Sequence, residues 1–542
     1  MQLDLKKIPF SRRLSRHMVY EETDNNNSGW DKGLYLALAA ESGGFIYGGP
    51  AMGPKGFIRI IPTFDGKPQD YSYQASPFSV ELKTDQGSVL FVLDGEKVLR
   101  IAGKGGIGLR LDGKLGFGDN AYTTERGAEF ILGGTVYLFK ALRGRVTLDC
   151  RWDRKGLKPT DPIVYIEPDE NGEFSVAAYD TDFAYELPAL AESLEQCIAE
   201  AEKDLNSFVA GLPSLGAEYK DFNDYAAYAL WTGLVPFKGL ELYPANKMED
   251  QKIYSLEQAI IALTESDPSR ALELLSAALA EASPQGLVPV WLADRQNLYE
   301  AVPPVYACTV NRLLAGGLMY KVAKEQLSRF YELMSKAVNW WLQKRTNKEG
   351  LAYYAYRYEC GWQNELSLGS GLPSASCDLA AYLALAAESL AKIADFLGKS
   401  GESESWDKLC REQLDKLTRV LWDGERFKCI NILTGEAGSC DGLLTLIPLI
   451  LGKRLPEEIT AVLAEKAKAL DWDKVAIIPG ALIIMGLKDS GLDAAARDAA
   501  RKLIESCLAG GANDRRGKGV NAGAFYSPSA CAALFAVGRT LQ

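Results

Sequence analysis

The apolar residues of this chain change period near residue 185. Before that point they form short alternating runs, such as Gly56-Phe-Ile-Arg-Ile-Ile, Ser79-Val-Glu-Leu-Lys and Ser88-Val-Leu-Phe-Val-Leu. A period of two is that of a strand with one face buried. The pairs Asp65-Gly66, Asp94-Gly95 and Asp112-Gly113 read as the turns between such strands. Many short strands at close spacing predict an antiparallel β-sandwich over residues 1–186. Residues 187–210 then show helical periodicity with mixed charges, and Gly211-Leu212-Pro213 ends it, so 187–213 is predicted as a linker helix. From residue 214 onward helix follows helix. The spacing predicts helices over about 217–236, 254–265, 268–283, 303–322, 324–346 and 375–398, then 402–422, 440–452, 456–469, 474–487, 491–508 and 526–538. In the sixth, Leu379, Tyr382, Leu383, Ala386, Leu390, Ile393 and Leu397 recur at intervals of three and four. Asp267-Pro268 and Leu455-Pro456 have the look of helix starts. Helices in this number, joined mostly by short links, suit αα-hairpins closed into a ring. The expected class is mainly α with an N-terminal all-β domain: an (α/α)6 toroid over residues 214–542 preceded by an antiparallel β-sandwich.

Composition narrows the chemistry. The chain has 542 residues, 47% of them apolar and 24% charged, with a net charge of −11. No Lys/Arg cluster is dense enough to track a phosphate backbone, so nucleic acid is excluded as a partner. The start, Met1-Gln-Leu-Asp-Leu-Lys-Lys, lacks the apolar core of a secretory signal, and no apolar run is long enough to span a membrane. The ten cysteines include no C-x-x-C pair, and Cys308, Cys377, Cys507 and Cys531 fall within helical apolar patterns. Reduced thiols and a cytoplasmic protein are expected. His17 is the one histidine. It lies in an Arg-rich segment and reads as structural, which removes histidine-based catalysis and most zinc sites. No metal or cofactor is expected. Gly103-Lys-Gly-Gly-Ile-Gly108 sits among strands with no helix after it and reads as a turn rather than a phosphate cradle. Asp24-Asn-Asn-Asn-Ser-Gly reads as a loop.

Several stretches then resemble one family. Tyr358-Glu359-Cys360-Gly361-Trp362-Gln363-Asn364-Glu365 resembles the acid-bearing loop of trehalase-like glycosidases, written E-S-G-W-D-N-S. Pro284-Gln-Gly-Leu-Val-Pro289 with Val302-Pro-Pro-Val305 is similar to a Q-x-G-x-x-P … P-P segment of the same clan. Asn339-Trp340-Trp341 with Arg345 and Gly350-Leu351, Ser376-Cys377-Asp378-Leu379-Ala380, and Leu421-Trp422-Asp423-Gly424 follow in the clan's order. Ile8-Pro-Phe-Ser-Arg-Arg13, Gly33-Leu-Tyr-Leu and Phe57-Ile-Arg59-Ile resemble the start of a bacterial subgroup labelled as isomerases or amylo-glucosidase-like. The whole resembles glycoside hydrolase families 63 and 37, which hold mannosylglycerate hydrolases and trehalases. That resemblance implies a sandwich-plus-toroid fold and an inverting hydrolysis by two carboxyl groups, one acid and one base.

The departures fall on those groups. Gln363 stands where the family keeps its proton-donating Asp, and an amide gives up no such proton. The family's general base is a Glu shortly before the last helix. The matching stretch here, residues 509–516, has no Glu, and Asp514 is its carboxylate. A tryptophan-rich W-S-W-D becomes Tyr254-Ser255-Leu256-Glu257. Catalytic candidates are therefore Glu359 and Glu365, which flank Gln363, and Asp514, kept ionised as a base by Arg515 and Arg516. The alternative is that Glu359 is a scaffold residue holding the loop and Glu365 is solvated. Candidates for binding are Trp362 and Tyr526 as ring surfaces, Gln363 and Asn364 as hydroxyl partners, and Tyr254, Glu257, Asp294 and Arg295 near the mouth of the toroid. The expected partner is a small-molecule carbohydrate or related polar ligand. Three readings stay open at this point: a hydrolase of a small α-linked glucoside or mannoside with relocated carboxylates, a non-hydrolytic enzyme of isomerase, lyase or cyclase type, and a sugar-binding protein without catalysis.

Overall fold

A computed structural model describes residues 1–22, 31–39, 45–46, 49–50, 55–116, 118–132, 135–182, 186–237, 240–242, 268–289, 300–356, 359–360, 368–439, 442–512 and 526–541. The chain divides into two units, Met1–Gly211 with Ala227–Asp250 and Asn521–Tyr526, and Leu212–Ala226 with Gln251–Val520 and Ser527–Gln542.

The first unit is a β-sandwich built from antiparallel sheets. One sheet runs His17–Glu22, Gly33–Leu38, Lys55–Phe64, Gly108–Gly113, Ile163–Glu167 and Arg145–Asp149 in spatial order. The other runs Asn120–Thr124, Gly127–Leu132, Thr135–Arg143, Phe174–Thr181, Val98–Lys104, Ser88–Asp94, Val80–Lys83 and Ser72–Ala75. Alternation decides which side faces the core. In Gly108–Gly113, Leu109 and Leu111 are buried while Arg110 and Asp112 point outward. The Asp65-Gly66 pair turns the chain between Phe64 and Lys67 with both residues at positive φ, as a tight hairpin requires. Asp112-Gly113, expected as a turn, instead continues a strand: Asp112 pairs with Arg59 and Ile163. Arg110, two residues away on the same face, donates to both Asp112 oxygens at 2.7 and 2.9 Å, so the carboxylate is satisfied without a turn.

Polar groups enter this core as a set. Arg16 and Asp180 are both buried and paired through two hydrogen bonds, Arg16 also donates to Thr135 at 3.1 Å, and Lys97 lies 3.6 Å from Asp180. His17 beside them is fully enclosed, with Nδ1 3.3 Å from the Tyr137 hydroxyl, and burial pushes its pKa down to about 4. This surrounding fits a structural histidine.

Helix α1 (Leu194–Ala210) starts seven residues later than periodicity predicts. Leu187 and Leu190, which supplied that periodicity, pack on Val98, Val136, Leu138, Ala177 and Tyr179 of the sandwich instead. Ser193 then caps the helix, its hydroxyl accepting from the Gln196 amide at 3.2 Å. Its buried face, Cys197, Ala201 and Leu205, belongs to the sandwich unit, and α1 touches strand Ser88–Asp94.

After α2 (Lys220–Thr232), the helices are α3 (Pro268–Ala280), α4 (Tyr306–Ala315), α5 (Lys324–Lys344), α6 (Cys377–Leu397), α7 (Ser400–Arg419), a 3-10 helix (Leu443–Arg454), α8 (Glu457–Lys468), α9 (Ile477–Asp489), α10 (Asp493–Gly510) and α11 (Pro528–Gly538). Two kinds alternate. The residues of α6, the 3-10 helix, α9 and α11 are buried almost throughout, whereas α3, α5, α7 and α8 bury one face. The buried helices touch in succession, α4 on α6, α6 on the 3-10 helix, that on α9, and α9 on α11, with the amphipathic ones packed outside as hairpin partners. The segment expected as a helix over 440–452 is a 3-10 helix with Pro448 inside it, where in α geometry the proline ring would clash with the carbonyl four residues back, and the backbone leaves helical geometry at Gly452. At Gly486 of α9 a Cβ would lie 2.4 Å from the Leu449 carbonyl carbon, so these two elements meet backbone to backbone. The helix expected over 254–265 lies outside the described residues. Among the described residues no helix is long and apolar enough to cross a membrane, and the nine described cysteines are free, all buried but Cys150.

Candidate functional site

Three of the candidate segments lead into the N-terminus of a buried helix: residues 290–305 into α4, 355–376 into α6, and 511–527 into α11. The stems of these segments are described, and side-chain chemistry holds them. Helix α5 ends at Arg345, whose amide donates to Trp341, and the chain turns back through Thr346 and Ala352 to a short strand, Tyr353–Tyr354. That strand pairs with Ser374–Ala375, which pairs with Lys428–Asn431, which pairs with Ala437–Ser439. On the descending side, Asn431 donates to the Ser370 carbonyl at 3.1 Å. At Gly438 a Cβ would sit 2.1 Å from the Ser370 nitrogen, so any side chain there would push this stem away.

Glu359 is the hub of the ascending side. It is completely buried. Its Oε1 accepts from Arg345 at 3.0 Å and from the Ala301 amide at 3.4 Å. Its Oε2 accepts from the amides of Ala355 at 2.7 Å and Tyr356 at 3.1 Å. With two donors on each oxygen the carboxylate is spent on protein partners. It also connects two stems, because Ala301 pairs with Pro289 across the segment 290–299. The third stem closes in the same manner, with the Ser527 amide donating to the Ala512 carbonyl at 2.6 Å.

A second buried carboxylate lies nearby. Asp378, in the first turn of α6, accepts from the Tyr354 hydroxyl at 2.9 Å and from the Ser376 hydroxyl on its other oxygen. Burial raises its pKa, and those hydroxyls with the first amides of α6 pull the other way. Burial and the adjacent Asp378 push the Tyr354 phenol well above its ordinary value. The Tyr354 ring meets Trp341 edge-on at 6.0 Å, Trp341 meets Trp340 at 5.2 Å, and the Arg345 guanidinium lies 5.1 Å from the Trp340 ring centroid.

Of the residues singled out from sequence, Glu359 and Tyr526 are described. Tyr526 is half-buried, and its amide donates to the Lys7 carbonyl at 3.2 Å. Tyr254, Glu257, Asp294, Arg295, Trp362, Gln363, Asn364, Glu365 and Asp514 lie outside the described residues. Arg345, Tyr354 and Asp378 were missed as working parts, although Arg345 and Asp378 stand in quoted motifs; a Ser-x-Asp at a helix start was the available signal. Among the described residues, no group of three or more His, Cys, Asp or Glu side chains is placed to hold a metal. An open cleft of about 540 Å³ lies where the 3-10 helix and α9 begin, with Arg426, Lys466, Lys474, Glu425 and Asp471 around Leu443 and Leu446.

Residues 256–479 match the family model described as the mannosylglycerate hydrolase MGH1-like glycoside hydrolase domain. That stretch is similar to an MGH1-like glycoside hydrolase domain. This match covers less than half of the chain but spans α3 to the start of α9, including both stems joined by Glu359. A search of curated proteins finds no match. Among solved structures, the family GH92 α-mannosidase of Bacteroides thetaiotaomicron is similar over 99% of this chain and 81% of its own, with 10% identity and a TM-score of 0.60. A family GH92 inverting mannosidase of the same organism covers 87% of this chain and 71% of its own, at 12% identity and a TM-score of 0.51. The GH63 mannosylglycerate hydrolase of Thermus thermophilus, solved with Tris, covers 57% of this chain and 98% of its own, at 16% identity and a TM-score of 0.45. At such identities the GH92 likeness is one of fold: a β-sandwich followed by a helical domain. The match over residues 256–479 is what makes this chain glycosidase-like.

Proposed function

We propose that this protein hydrolyses a small α-linked glycoside, a mannoside or glucoside, with inversion at the anomeric carbon. The observation that carries this reading is the MGH1-like match across residues 256–479. Glu365 acts as the general acid and protonates the leaving glycosidic oxygen. Asp514, followed by Arg515 and Arg516 in the chain, acts as the base. It takes a proton from a water that attacks the anomeric carbon from the opposite face. An inverting pair needs its carboxyls about 6.5–9.5 Å apart, which leaves room for that water. Glu359 works as a positioning residue, since its oxygens are filled by four N–H donors. Trp362 and Tyr526 offer ring surfaces, and Tyr254, Glu257, Asp294, Arg295, Gln363 and Asn364 meet the sugar hydroxyls.

The test is sugar release from a panel of α- and β-mannosides and glucosides, with the product anomer followed by NMR. Wild type is run beside Glu365→Gln and Asp514→Asn. Release of the inverted anomer, reduced by about a thousandfold in each variant, is expected. Gln363 at the family acid position favours a second reading, sugar binding without turnover. A folded protein that binds these sugars and releases none would replace the first reading with the second.

A further inference from the structure

We propose that the Tyr354–Asp378 hydroxyl–carboxylate pair is a positioning device for the stem that carries Glu359, rather than a contributor to fold stability alone. This rests on the glycosidase reading above. Tyr354 is the last residue of the strand that feeds residues 355–360, and Asp378 is the second residue of α6, where the chain arrives after 376. The hydrogen bond between them therefore joins the two ends of the segment. The strand pairing Tyr353↔Ala375 and Tyr354↔Ser374 lies alongside it.

The contacts form a closed circuit. From Asp378 it runs to the Tyr354 hydroxyl, through that ring to Trp341, to Trp340, to the Arg345 guanidinium, and on to Glu359. Glu359 then accepts from the amides of Ala355 and Tyr356, the two residues that follow Tyr354. The end of α5, the start of α6 and the stem are fixed to one another by bonds of defined direction. A phenol and a carboxylic side chain, each fully buried, are a poor means of gaining stability alone. Apolar residues of the same shape fill such a space as well or better. What the polar pair adds is geometry, because its hydrogen bond has one length and one direction where apolar packing tolerates sliding.

The test uses Tyr354→Phe, which removes one oxygen and keeps the ring against Trp341, with Asp378→Asn as the second variant. Tyr331→Phe serves as the control. Its hydroxyl donates to Glu402 at 2.6 Å and accepts from Trp406 at 2.9 Å, between α5 and α7, so it is a buried phenol in a purely structural network. Two readings are taken on each protein: kcat and KM for the best α-glycoside of the panel, and amide hydrogen exchange of residues 355–360. For Tyr354→Phe, kcat is expected to fall at least tenfold with KM changed less than threefold, and exchange in 355–360 to rise at least tenfold. Tyr331→Phe is expected to lower Tm and leave both unchanged. Unchanged exchange in Tyr354→Phe, or raised exchange with wild-type kcat, overturns the proposal. So does a loss of kcat equal to that of Tyr331→Phe. If wild type releases no sugar, the glycosidase reading fails on its own and the exchange measurement still decides the positioning role. If Tyr354→Phe does not fold, Asp378→Asn is read in its place; failure of both to fold makes the pair structural and overturns the proposal.

Discussion

Replacing Glu359 by Gln keeps its shape but removes the charge and turns one acceptor into a donor that faces N–H groups. The partly buried Arg345 loses its carboxylate partner. Breaking a buried pair from one side is destabilising by about 3 kcal/mol, and urea unfolding of Glu359→Gln should show a loss of that order. His17 makes a second residue-scale prediction. Its folded pKa is pushed down to about 4 from an ordinary 6.5 by burial. The unfolded chain therefore binds a proton first as pH falls. Stability is full above pH 6.5 and drops between 6.5 and about 4, by on the order of 3 kcal/mol from this one group. His17→Gln should flatten that part of the Tm–pH curve relative to wild type. At this scale the sequence left open whether Glu359 was acid or scaffold. Its donors Ala301 and Arg345 stand far enough along the chain that no local pattern announces them. Asp378 was legible as part of a motif but not as the partner of Tyr354, for the same reason.

Between elements, the test falls on the contact of α9 with the 3-10 helix. Gly486→Ala puts a carbon where the Leu449 backbone already lies, and separating the two helices should be destabilising by about 1–3 kcal/mol, read as a lower midpoint in denaturant. Helices were the most legible elements, because intervals of three and four persist over many residues and most observed helices fall within a few residues of expectation. The misses have local causes. Pro448 bars α geometry in the 3-10 helix, and Leu187 and Leu190 serve the sandwich rather than α1. Asp112-Gly113 carries a turn signal that a paired Arg110 overrides. Periodicity reports that a residue is buried and is silent on what buries it.

For the whole molecule, the switch from period two to period 3.6 was enough to place a β-sandwich before a helical domain, and the similarity to a GH92 α-mannosidase extends over 99% of the chain. Residues 243–267 lie outside those described, as do most candidate side chains. A ligand that binds the folded protein raises its stability by about 2.7 kcal/mol at a hundred times Kd. Mannose or glucose, or a glycoside that is not turned over, should therefore raise Tm in a concentration-dependent manner. Polyphosphate should not, given the net charge of −11.

The nine described cysteines give this architecture a built-in chemical clock. Cys150 is half-exposed and Cys197 buried in the sandwich unit, while Cys308, Cys360, Cys377, Cys410, Cys429, Cys507 and Cys531 are buried in the helical one. A thiol reagent reaches a buried sulfur only when the packing around it opens. The order in which these sulfurs become alkylated, read peptide by peptide in a mass spectrometer, would time the opening of each unit separately. Cys360, next to Glu359, would report on the stem itself.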